Sequence, residues 1–350
     1  MLDTLIRKGI LTADEAAQIQ TEAATSAKAA AASKSQTRVS GKLYVDFSDI
    51  SAVNAAGAKV SPSGDGLDVK RFYFGVTHQF NDVWSANINT DSSYSSASGA
   101  TNLFIKTAYV QAKISPELTL QAGSANMPWI PFVEDLYTFR YIEQTMVDRL
   151  HFGNSADWGL HAYGKSGIVS YNVAAVNGGG YKNPTRTKTV DYAGRVSVEP
   201  ITGLTFAGGF YTGRLGKDSY GSPSTREATR YDLLAAYSAG RFRVGTEYFW
   251  ESDWGYTASP QSDSSDGYSL FGRATISGPF SAFARYDNVK TSKKLHPDMR
   301  DKYFNAGVEW HAFSGVDLAL VYKRDRIDNP ASASQVAKYD EFGVFSQVAF

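Results

Sequence analysis

YDEFGVFSQVAF, residues 339–350, closes the chain. Phe342, Val344, Val348 and Phe350 fall on one parity; Tyr339, Glu341, Gln347 and Ala349 fall on the other, with Phe345 and Ser346 as the exceptions. Side chains of a strand point alternately to its two faces, so this is a strand with one apolar and one mostly polar face. Chain ends ordinarily fray, yet here the alternation runs to a bare terminal aromatic.

The same period governs everything from Val39 onward. VSGKLYVDF puts Val39, Leu43, Val45 and Phe47 on one face against Lys42, Tyr44 and Asp46. RFYFGVTHQF and VWSANINTD repeat the pattern, and so do runs such as DWGLHAYGK, RFRVGTEYFW and VDLALVYKRD. Counted to the C-terminus there are about sixteen, each near the ten-residue length that a tilted membrane strand needs. The connections alternate as well. FND, SPE, KSG, EPITG, SAG, SGP and FSG are short turns, and polar links at 49–66, 92–101, 126–155, 177–188, 214–228, 251–266, 288–301 and 326–337 lie between them. One rim of tight turns and one of loops predicts an all-β, sixteen-stranded antiparallel up-and-down transmembrane barrel over 37–350. Trp84, Trp158, Tyr237, Phe242, Tyr248, Trp250, Tyr268, Phe280, Trp310, Tyr322 and Phe350 share the outward parity near strand ends, as the aromatic girdles of a lipid-facing barrel do.

Bulk composition agrees. Lys+Arg and Asp+Glu are both 35, so the chain lacks the basic field of a nucleic-acid binder. There is no cysteine, hence neither a disulfide nor a thiolate metal site. No apolar run is long enough for a transmembrane helix, which leaves a barrel open because only alternate residues meet lipid. His78, His151, His161, His296 and His311 have no ligand spacing, so neither a metal nor a cofactor is expected. GRLGKD at 213–218 lacks the first glycine and the final Ser/Thr of a phosphate loop. GGG at 178–180 reads as flexible linker. No Ser–His–acid set assembles from neighbouring strands, and His161 with Asp157 is the nearest pair. An enzyme is therefore not expected.

Residues 1–36 differ from the rest. Thr12 and Glu15 form a capping box ahead of the Ala-rich run AAQIQTEAATSAKAAAASK, and residues 3–9 suggest a short helix before it. This helical leader has too few large apolar residues to bury itself, which suggests self-association across subunits, for instance as a trimeric coiled coil. Met1 is followed directly by LDTLIRKGIL, without a secretory apolar core or cleavage site, so any signal peptide is missing from this sequence.

Two resemblances narrow the reading. FGVFSQVAF with terminal Phe350 resembles the signal read by the outer-membrane assembly machinery, which implies a Gram-negative bacterial outer membrane with lipid and lipopolysaccharide as neighbours. LIRKGILTADEAAQI, residues 5–19, is similar to the periplasmic leader of the phosphate-selective porin O/P family. That likeness implies a homotrimer of sixteen-stranded barrels passing small hydrophilic solutes or ions, possible anions such as phosphate among them. It also implies a third loop that folds inward as the constriction.

The third link, 126–155, is too long and too apolar for an uncontacted surface loop. Trp129, Ile130, Phe132, Val133, Leu136, Tyr137 and Phe139 are expected to pack on the inner wall. Glu134, Asp135, Arg140, Glu143, Asp148 and Arg149 are its candidate water-facing groups. Arg195, Arg243, Arg273, Arg285 and Lys323 lie mid-strand at lumen parity and would form a basic wall opposite an acidic loop, with Lys42 added from the first strand. Lumen charges are mixed in sign where the phosphate channels carry an arginine and lysine funnel, so a mild anion or mixed preference is expected. The competing classes are an outer-membrane barrel enzyme, a lipase or protease at the rim, and a receptor or adhesin acting through its loops.

Overall fold

A computed structural model describes residues 6, 11–32, 35–95, 100–222 and 226–350. A helix, α1 (Ala13–Ala32), precedes the strands. Its capping box forms: Thr12 N donates to Glu15 Oε2 at 2.8 Å, and Glu15 N donates to Thr12 Oγ1 at 3.2 Å. The short helix expected over residues 3–9 lies outside the described residues except for Ile6, which is helical.

Sixteen strands follow. They are β1 (Gln36–Asn54), β2 (Gly64–Gln79), β3 (Trp84–Ser95), β4 (Ala100–Ser115), β5 (Leu118–Asn126), β6 (Ala156–Ser166), β7 (Val169–Val176) and β8 (Asp191–Ile201). Then come β9 (Leu204–Gly213), β10 (Ala228–Ala239), β11 (Phe242–Ser252), β12 (Ser264–Ser277), β13 (Phe280–Lys290), β14 (Arg300–Phe313), β15 (Val316–Asp328) and β16 (Val336–Ala349). Each pairs antiparallel with its sequence neighbours, and β16 pairs with β1 to close the barrel. Closure satisfies every strand edge, which a spanning sheet requires because hydrocarbon offers no hydrogen bonds.

The last residue takes part in that closure. Phe350 N donates to Gly41 O, and Gly41 N donates to Phe350 O, both at 3.0 Å. The Phe350 ring lies over Gly41, where an added Cβ would come within 2.2 Å of a ring carbon. Phe342, Val344 and Val348 are exposed on the outer wall as the alternation predicts. Phe345, the exception to the pattern, points inward and is fully buried between the ammonium groups of Lys70 and Lys323, at 4.7 and 4.4 Å.

Short turns and long links alternate around the rim as expected. Gly315, at φ +83°, shows the chemistry of the tight rim: an added Cβ would meet Ala349 O at 2.2 Å. Several strands run further than the sequence pattern indicated. β1 has 19 residues against the expected 39–47, and at about 3.3 Å per residue it outreaches a hydrocarbon core even when tilted. Period-two apolarity marks only the stretch that lipid touches, so the extensions into water carry no such signal. Phe280 stacks on Trp310, and Tyr231 on Trp250, at the two ends of the apolar band.

Candidate functional site, the lumen and the third long link

The link between β5 and β6 lies inside the ring. It carries α2 (Ile130–Tyr137), opened by Pro131 and ended by Thr138 in the left-handed region, and the single turn α3 (Met146–Arg149). Its apolar side chains meet the wall mainly from β9 round to β16, and Tyr141 also packs by Tyr44 of β1. Trp129 and Val133 pack with Ala207, Leu234 and Ala236. Ile130, Met146 and Val147 pack with Phe249 and Val289. Tyr137, Phe139, Tyr141 and Ile142 join Phe271, Phe283, Ala319, Val321 and Phe345, with Phe139 stacked on Phe283 at 4.2 Å. Gly209 leaves room for the Trp129 indole, which an added Cβ would approach to 2.5 Å.

Irregular backbone at membrane depth must find donors for its carbonyls. Here wall cations supply them. Arg195 Nε donates to Pro128 O at 3.0 Å, Arg243 to Leu136 O at 3.3 Å, and Lys70 to Ile142 O at 3.3 Å. Arg230 donates to Phe152 O, and Arg285 to Gln144 O. Ion pairs add to this. Arg149 reaches Asp301 at 2.6 Å, Asp325 at 2.9 Å and Asp287 at 3.4 Å. Lys323 reaches Glu341 at 3.1 Å and Glu143 at 3.3 Å. Burial works to raise the Glu143 carboxyl, but the Lys323 and Lys70 ammonium groups hold it well below the usual carboxylate range. The Trp129 indole N–H donates to Glu247 at 2.6 Å, and the Tyr141 hydroxyl to Glu309 at 3.0 Å.

The basic residues singled out in the sequence therefore have two fates. Arg195, Arg243, Arg273, Arg285 and Lys323 do share a wall, but the link lies against it and engages four of the five. Arg285 is 2% exposed and also pairs with Asp287 at 2.6 Å; Lys323 is 1% exposed. Arg273, further out, pairs with Glu309 at 3.2 Å. Arg149, expected to face water, instead faces this wall, where three carboxylates compensate its charge, while Glu143 pairs with Lys323 and also borders the open space. Lys42, Glu134, Asp135 and Arg140 have the other fate and line open space between the link and β1–β4.

That space comprises cavities of about 460, 280 and 200 Å³, and Arg140 borders all three. Its guanidinium is held by Glu134 at 2.6 Å and Asp148 at 3.6 Å. Arg71 and Lys106 each border two of the three. Lys182, from the next long link, faces the smallest; burial and the neighbouring Arg71 push its ammonium pKa down. Burial raises the Asp135 carboxyl, with Lys42 opposing. Sequence parity missed Lys106 and Lys70. Both sit at register shifts, opposite Asn89/Thr90 and Tyr44/Val45, where an extra residue turns a side chain of the wrong parity inward. No local sequence signal marks either bulge.

Other candidate chemistry has structural uses. The backbone N–H groups of Arg214 and Leu215 in GRLGKD both donate to Asp191, so a carboxylate already fills that nest. GGG at 178–180 is not free linker: Gly180, at φ +75°, packs on Asn154 and donates to Asp157 at 3.1 Å. His161 Nε2 meets the backbone carbonyl of Asp157 at 3.3 Å, and the Asp157 carboxylate is turned to Trp158 N and Gly180 N.

No protein-family model matches the sequence, and no curated relative matches it either. Solved structures do resemble the fold. An anion-selective porin from Comamonas acidovorans superposes with a TM-score of 0.68 at 13% identity, over 91% of this chain and 100% of that one. The outer membrane channel DcaP of Acinetobacter baumannii gives 0.65 at 10% identity, over 90% and 97%. The outer-membrane OmpT of Vibrio cholerae gives 0.61 at 11% identity, over 90% and 98%. At such identities the likeness establishes the fold: a sixteen-strand barrel of the kind found in the bacterial outer membrane.

Proposed function

We propose that the chain is an outer-membrane porin, a homotrimer whose barrels pass small hydrophilic solutes with a mild preference for anions. The observation that carries this reading is a set of cations without a carboxylate partner along the open passage. Among the described residues, Lys42, Lys106 and Lys182 have no carboxylate oxygen within 4.0 Å, and all three border the cavities beside the third link. In this reading the link is the constriction, and solutes pass between it and β1–β4.

The work is electrostatic and steric. Glu134 and Asp135 on the link face Lys42 and Lys106 on the wall, so a transverse field orients dipolar solutes while water flows. A lysine about 8 Å from a passing anion contributes about 2 kcal/mol at an effective dielectric of about 20. Salt screens that further, so the preference is mild. The helical leader serves the trimer, and Phe350 serves recognition by the assembly machinery. Selectivity for phosphate itself rests on the likeness of residues 5–19 alone.

Single-channel recordings in potassium chloride, phosphate and gluconate test the reading. Open steps are expected, grouped in threes. The triple variant K42Q/K106Q/K182Q is expected to move the reversal potential towards cations. A sealed bilayer accompanied by lipid or peptide hydrolysis would place the protein among barrel enzymes. A sealed bilayer with loop-dependent ligand or cell binding would make it a receptor or adhesin. Either result overturns the porin.

A further inference from the structure

Among the described residues, the long-link rim of the outer wall carries a basic belt on one sector only. At the long-link ends of β12–β16, the outward strand positions hold Lys290, Arg300, Lys302, Arg324, Arg326 and Lys338 against Asp266, Asp328 and Asp340. The register sets Lys302, Arg326 and Lys338 side by side on three neighbouring strands. Like charges directly opposite one another in a sheet repel, so a row of three calls for an anion. The carboxylates present do not supply enough. Lys302 pairs with Asp328 and Arg326 with Asp340, both at 2.6 Å, and Asp266 is taken by Lys293 at 3.2 Å. Lys290, Arg324 and Lys338 are exposed and, among the described residues, have no carboxylate within 4.0 Å. Among the described residues, no outward strand position at this rim of β1–β11 carries a lysine or arginine.

Height on the wall identifies the partner. Tyr268, Tyr286 and Tyr322 are outward on these strands, and the Tyr322 hydroxyl donates to Asp340 at 2.7 Å. Tyrosines of this kind mark the level where hydrocarbon gives way to headgroups. Arg324 is the next outward residue beyond Tyr322, about 6–7 Å further along the strand. The cations therefore sit at the height of lipid phosphates, and guanidinium and ammonium groups bind phosphate with charge-assisted hydrogen bonds. We infer that the β12–β16 sector is a docking surface for a phosphorylated lipid of the outer leaflet, held by Lys290, Arg324 and Lys338.

The test uses the full chain in detergent and bis-phosphorylated lipid A as the probe. Native mass spectrometry is expected to show lipid A retained by the wild type and released by K290Q/R324Q/K338Q, with about a hundredfold weaker binding. Lipid A stripped of its phosphates is expected to bind neither protein tightly. Inorganic phosphate at millimolar concentration is expected not to displace the lipid, which separates a lipid site from a free-anion site. Heat-modifiable migration on gels verifies that the variant barrel is folded. Equal retention by both proteins, or ready displacement by phosphate alone, overturns the proposal. None of the three residues lines the lumen, so channel conductance is expected to be unchanged, and the outcome is independent of whether the protein is a porin.

Discussion

Arg149 Nη2 lies 2.6 Å from Asp301 Oδ1, which joins the end of α3 to β14 across 152 residues of chain. The same guanidinium reaches Asp325 and Asp287 and stacks over the Tyr303 ring at 4.5 Å. Three carboxylates from three consecutive strands would repel one another without it. The loop thus stabilises the wall as much as the wall holds the loop.

Replacing Arg149 by Ala is expected to be severe, because it strands three clustered carboxylates in a largely buried place. Removing one partner of such a network typically costs about 3–5 kcal/mol. The urea midpoint of the detergent-solubilised barrel is expected to fall, and single channels to flicker as α3 loses its anchor. A quiet channel of unchanged stability would show that the apolar contacts alone hold the loop.

Acid is expected to act late on the Glu143 tether. The Glu143 carboxyl is held below its usual range by Lys323 and Lys70 against the opposing effect of burial. A group whose native pKa is depressed adds stability above its unfolded pKa and loses it as pH falls through the native value. The Glu143–Lys323 tether therefore holds at about pH 4, where a free glutamate is half protonated, and gives way only in stronger acid. The difference in channel noise between wild type and E143Q is expected to persist from pH 7 down to at least pH 4. E143Q, which lacks the ionised partner, is expected to be the noisier throughout that range.

Trp129→Phe keeps an aromatic ring, though a smaller one, but leaves Glu247, which is 1% exposed, without its indole donor. A buried acceptor left unsatisfied costs about 1–3 kcal/mol. The double variant W129F/E247L is expected to recover much of that loss, since both polar partners are then gone. Denaturant unfolding of the two singles and the double measures the coupling, and additive effects would mean that the hydrogen bond contributes nothing.

Substituting Arg243, Arg273 and Arg285 together by Ala separates fastening from selectivity. Arg243 and Arg285 donate to loop carbonyls, and Arg285 and Arg273 pair with wall carboxylates. Lower stability and a noisier channel are expected, with a smaller shift in reversal potential than K42Q/K106Q/K182Q gives. The reverse ranking would place the selective charges on the β11–β13 wall.

Removing residues 1–34 tests the leader. Because β1 begins at Gln36 and closes on β16, the barrel is expected to fold and migrate as a heat-modifiable band. Mass measurement in detergent is expected to show trimers for the full chain and monomers for the truncated one. Intact trimers after truncation would assign subunit association to the barrel wall.

The sequence by itself determined the barrel, its strand number, the alternation of its rims and the pairing of its last strand with its first. Those follow from side-chain parity and turn chemistry, which are local and repeat some sixteen times. Parity also placed Arg285, Lys323 and Lys42 inside the ring, since it separates inside from outside. It could not say that the first two would lie beneath the third link while Lys42 stayed beside open space. That was decided by packing: which sector offered bare Gly209, the ring of Phe283 and the three aspartates around Arg149. Lys106 was likewise a matter of tertiary structure, because a one-residue register shift reverses facing and is set by the partner strand, not by the residues of the strand itself.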